Sequence, residues 1–145
     1  MYSRILIAYD AKPETEPVLR EGVALAGALG ARVILVGVVT PDTRVLIAEA
    51  VAPMGLPDRF ADEFRDALEA EAEAIRATGV EVEVHCAHGE PADAICFAAR
   101  EAKADLMVIG RHERAGLQHY FDQSTGRSIF DHMPCNLLVV GTEEA

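Results

Sequence analysis

The chain has 145 residues, 50% of them apolar and 26% charged, which suits one domain with a full hydrophobic core and excludes global disorder. Its formal net charge of −11 argues against nonspecific binding to nucleic acid or to an anionic membrane, since either would need a basic face. No apolar run approaches the ~18 residues of a membrane span, and Met1 to Ile7 lack the pattern of a signal peptide.

The first predicted element is a strand over Arg4 to Tyr9, a continuous apolar run with no alternation. A helix follows from Thr15 to Leu29, with Pro17 in its first turn and Gly30 at its stop; Val18, Leu19, Val23, Leu25, Ala26 and Leu29 form its apolar face. Arg32 to Val39 is a second unalternating strand. The stretch Thr40 to Pro57, bounded by prolines, is irregular, and its apolar middle suits either a short helix or a flap.

Asp58 to Thr78 reads as a helix with Phe60, Phe64, Leu68 and Ile75 on one stripe, ended by Gly79. Its many acids, from Asp58 to Glu73, read as a solvated face. Val80 to Ala87 alternates Val80, Val82 and Val84 with Glu81, Glu83 and His85, as expected of an edge strand with one wet face. A helix over Pro91 to Lys103 presents Ile95, Cys96 and Ala99. Asp105 to Ile109 is a buried strand, Ser124 to Met133 a helix capped by Ser124 or Thr125, and Asn136 to Val140 the last strand.

Strands covered on both faces lose the period of two, so four such runs separated by helices predict a doubly wound parallel sheet with right-handed crossovers. Without repeat or linker, residues 1–145 read as a single α/β domain with helices on both faces. Ile7, Val36, Val108 and Val139 are the expected core. The cysteines Cys86, Cys96 and Cys135 are odd in number and sit in apolar patterns, so reduced, buried thiols in a cytoplasmic protein are expected.

Ligands of doubly wound sheets sit beyond the carboxyl ends of the strands, where the strand order reverses. The pattern places Asp10 to Pro13, Val38 to Pro41, Gly110 to Glu113 and the cap Ser124-Thr125 there. Asp10 suits a ribose hydroxyl or a metal, or equally a turn. A helix start at Ser124 offers free amides and the positive end of a dipole to phosphate, or simple capping by the hydroxyl. Arg111 and Arg114 add positive charge to the same loop.

His85, Cys86 and His88 have a ligand-like composition, but alternation sends His85 and Cys86 to opposite faces and no fourth ligand is evident. His112, His119 and His132 have no nucleophile motif beside them. Both Gly-x-Ser-x-Gly and the Gly-x4-Gly-Lys-[Ser/Thr] loop are absent. No catalytic or metal residue is assigned, and no enzyme activity is expected.

Five segments carry a resemblance that runs nearly end to end: Ile5-Leu-Ile-Ala-Tyr-Asp10, Gly89-Glu-Pro-Ala-Asp-Ala-Ile95, Ala104-Asp-Leu-Met-Val-Ile-Gly110, Gly116-Leu117, and His132-Met-Pro-Cys-Asn-Leu-Leu-Val-Val140. In this order and spacing they resemble the universal stress protein family. The resemblance implies strand order 3-2-1-4-5 and a homodimer. In one branch it also implies ATP held by Gly-x2-Gly-x9-Gly-[Ser/Thr].

Counted from Gly110, that motif puts its second glycine at Glu113, its third at Gln123 and its hydroxyl at Ser124. Counting back from Pro134-Cys135 reaches the same Gln123. A rival register through Gly116 and Gly126 puts Arg127 at the hydroxyl position and needs compensating indels, so it is rejected.

Glycine lets backbone amides close on phosphate oxygens; Gln123 adds bulk, and Glu113 adds a charge that repels a triphosphate by roughly 1 kcal/mol in solvent. The chain is thus similar to the branch that does not hold ATP tightly. The expectation is a cytoplasmic homodimer with a regulatory or protective role, paired through Asn136 to Val140, with Leu138 and Val140 at the interface and no cofactor. Its rival is an ATP or AMP switch built on the loop 110–125 with Asp10, Val38, Gly110, Arg111, Ser124 and Thr125. A small flavodoxin-like or hydrolase-like enzyme lacks its nucleophile or flavin-phosphate loop.

Overall fold

In the computed structural model, residues 1–9, 15–39, 57–111 and 133–141 are described. The elements are β1 (Arg4–Ala8), α1 (Glu16–Leu29), β2 (Arg32–Val39), α2 (Pro57–Arg76), β3 (Val82–His88), α3 (Pro91–Glu101), β4 (Leu106–Arg111) and β5 (Asn136–Gly141). The strands form one five-stranded sheet in the order β3-β2-β1-β4-β5, every pair parallel. Both the class and the order expected are therefore observed. The expected helix from Ser124 lies outside the described residues except for Met133, as does Thr40 to Leu56.

The unalternating runs are explained by two apolar layers, one on each face. Ile5, Ile7, Val33, Leu35, Leu106 and Val108 face α1 and α2, where they meet Val18, Leu19, Ala26, Leu68, Ala72 and Ile75. Leu6, Ala8, Ile34, Val36, Met107 and Ile109 face the other way, onto Ala92, Ile95, Cys96 and Ala99 of α3. Ile5, Leu6 and Ile7 are all fully buried, so β1 loses its outer face altogether. Each such side chain contributes about 1.5–3 kcal/mol relative to exposure.

Two glycines fix where the helices sit. Gly30 ends α1 in the left-handed region at φ 67°, and its N–H reaches the Ala26 carbonyl. A side chain there would strain the turn. Gly37 of β2 lies directly under α2, and a Cβ at that position would run into Phe64 and Leu68. The helix therefore rests on the strand backbone.

Some boundaries differ from the expectation. β3 begins at Val82 rather than Val80, because Gly79 at φ 95° is still turning the chain and pairing with β2 starts at Val33 opposite Val82. α3 stops at Glu101, ahead of Lys103, which takes a positive φ of 55°. β4 begins at Leu106 because Asp105 serves as a tie. Its carboxylate accepts hydrogen bonds from the Ser3 N–H at 2.8 Å, the Ser3 hydroxyl at 3.0 Å and the Arg4 N–H at 3.0 Å.

The core needs one correction. Ile7, Val36 and Val108 are fully buried, but Val139 is 40% exposed. It lies on the outermost strand, where a side chain has a neighbouring strand on one side only. Val140, at 9% exposure, is the residue of β5 that enters the core beside α1. The interface expectation changes accordingly: Leu138, 38% exposed, is open on the edge, whereas Val140 is not.

Cys96 is buried and Cys86 and Cys135 half-buried, all three free. Burial pushes each thiol above its ordinary pKa, against the opposing charge of Arg65 at Cys86 and of Arg100 at Cys96. Such thiols are poor nucleophiles.

Candidate functional site at the carboxyl ends of the strands

The strand ends are staggered where a doubly wound sheet is expected to hold its ligand crevice. β1 stops at Ala8, opposite Val36, whereas β2 continues through Gly37, Val38 and Val39. On the other side Ile7 is opposite Val108, and β4 continues through Ile109, Gly110 and Arg111. The chain leaves β1 for β2 on one side and has β4 on the other, so this is the switch point of the sheet.

Val38 and Gly110 flank it. Val38 is half-buried, opposite Ala87 of β3 and against the α3 layer. Gly110, opposite Val140, contributes bare backbone. Arg111 is the next strand residue, opposite Gly141. The side chain of Arg111, and all of Asp10, Glu113, Arg114, Gln123, Ser124 and Thr125, lie outside the described residues.

Two positioning residues were not singled out from the sequence. Tyr9 continues β1 beyond Ala8, with its N–H donating to the Val36 carbonyl at 2.9 Å. Its ring is buried, and its hydroxyl donates to Glu16 at 3.4 Å, tying the first turn of α1 to the end of β1. A phenol inside an apolar strand was the available signal, because a buried tyrosine hydroxyl requires a partner.

Asp105 does the corresponding work at the opposite end of the sheet. Burial would raise its pKa, but the hydrogen bonds from Ser3 and Arg4 outweigh that and hold it below its ordinary value. An aspartate just ahead of a buried strand was the signal there.

His85 lies 3.0 Å from Glu83, while Cys86 turns toward the α2 side near Arg65, so the two do point to opposite faces. Among the described residues no three His, Cys, Asp or Glu side chains are grouped to hold a metal. An open groove of about 540 Å³ lies at the amino-terminal end of β3, far from the crevice, between Arg32, Arg76 and Gly79 to Glu83. Its arginines are already engaged, Arg32 by Glu81 at 2.8 Å and Arg76 by Glu73 at 2.6 Å and Glu69 at 3.5 Å. No described helix is long and apolar enough to cross a membrane.

The profile of the universal stress protein family matches residues 1–141. The chain belongs to that family. A Staphylococcus aureus protein assigned to the universal stress proteins is 30% identical over 145 residues, covering 99% of this chain and 86% of that protein. A family member from Burkholderia pseudomallei is similar in structure with a TM-score of 0.65 and 26% identity, over 96% of each chain. A universal stress protein crystallised in complex with cAMP superposes with a TM-score of 0.68 at 21% identity, over 98% of this chain and 99% of that one. At that identity the likeness concerns the fold.

Proposed function

We propose that this universal stress protein is a cytoplasmic homodimer with a regulatory or protective role, joined through β5, that holds ATP weakly or not at all and carries out no catalytic step. The observation that carries this reading is Glu113 and Gln123 in place of two glycines of the family's phosphate loop, on a chain that otherwise follows the family through residues 1–141. A carboxylate at the approach repels phosphate, and a side chain in the cradle keeps the amides away from it. The dimer is supported by the open β5 edge with Leu138 and Val139 exposed, since antiparallel pairing about a twofold would close it.

Calorimetric titration tests the nucleotide half of the proposal. Wild type is expected to bind ATP with a Kd at or above roughly 100 μM, about −5.5 kcal/mol, and the Glu113→Gly, Gln123→Gly double variant to bind more tightly. Glu113→Gly alone should help more at low salt than at high salt, because a charge effect is screened. Tight ATP binding by wild type would overturn the reading.

A nucleotide-binding switch is the second reading. Val38 and the bare backbone of Gly110 lie at strand ends on either side of the switch point, Ser124 keeps the hydroxyl of the loop motif, and a relative of the same fold is seen with cAMP. AMP or ATP would then sit among Asp10, Val38, Gly110, Arg111, Ser124 and Thr125. The nucleotide content of the purified protein, read by absorbance and mass spectrometry, separates the two readings.

A further inference from the structure

We draw no further inference here: the strongest candidate, the open groove at the amino-terminal end of β3 between Arg32, Arg76 and the turn at Gly79, carries nothing because both arginines are already engaged by Glu81, Glu73 and Glu69 and nothing in it points to a ligand.

Discussion

The two edges of the sheet are built in opposite ways. β3 is guarded by charge: Glu83 pairs with His85, Arg32 bridges Glu81 and Glu83, and Arg76 from α2 donates to the Val82 carbonyl at 2.8 Å. At β5, by contrast, Leu138 and Val139 are exposed, and a side-chain tie holds its start, where Asn136 donates to the Tyr2 hydroxyl at 2.9 Å. Charged side chains on an edge discourage a further strand, whereas an apolar edge invites one. Edge chemistry thus separates a charged margin from an apolar one, and the apolar one is where we propose that a second chain pairs.

The comparison can be broken most severely at Val140. Val140→Asp places an unpaired carboxylate in the core beside α1 and should cost more than about 3 kcal/mol, seen as loss of a cooperative thermal transition. Leu138→Asp, on the same strand but exposed, should leave the melting profile of the subunit and shift the sedimentation coefficient to that of a monomer. A dimer unchanged by Leu138→Asp would remove β5 as the interface.

Next in size is Val108→Ala, on the strand beside β5, which should cost on the order of 1–3 kcal/mol by urea unfolding through lost burial and a cavity. A cost near zero would contradict its complete burial.

Asp105→Asn should cost about 1 kcal/mol, because the amide nitrogen cannot accept the bonds that Ser3 donates. The pH dependence has a definite sign. A carboxylate held below its ordinary pKa stabilises the fold above the unfolded value of about 3.9, and that contribution is lost as pH falls through the folded value. Melting temperatures of wild type and variant should therefore differ most near neutrality and converge as the acid limit is approached.

The smallest effect sharpens the contrast from the other margin. Glu83→Val with His85→Val should barely move the melting temperature, because that pair is exposed, yet should increase self-association in light scattering. If association does not change, charge is not what keeps the β3 edge closed.

The strands were legible in the sequence for a physical reason. A run buried on both faces, such as Ile5-Leu-Ile7, has no polar residue to alternate with, and the chain prints that directly. The strand order was not legible in the residues and came from the family resemblance alone. Val139 was misjudged because hydropathy records what a side chain tolerates, while exposure on an outermost strand depends on the cover over each face; Val139 lies on the face of Ile109, whereas α1 covers the other face. The contact of α1 with β5 falls at Val140.

For the candidate site, Val38 and Gly110 were placed at strand ends beside the switch point by a topological rule that needs only strand ends and order. Tyr9 and Asp105 were missed because their roles depend on partners in other elements, Val36 for one and Ser3 and Arg4 for the other.

The tie made by Asp105 also bears on how the sheet is assembled. Its partners Ser3 and Arg4 lie 102 and 101 positions away in the chain. Closing a loop of that length carries an entropic cost on the order of 4 kcal/mol, apart from a constant. β1, β2 and β3 have their partners close by and can come together while one side of β1 still waits for β4. The Ser3 amide, bonded to the Asp105 carboxylate, should therefore gain protection from hydrogen exchange only when the two halves of the sheet meet. That amide should report the joining of β4 to β1, separable in time from amides such as Val33, whose bond to the Glu81 carbonyl belongs to the first half alone.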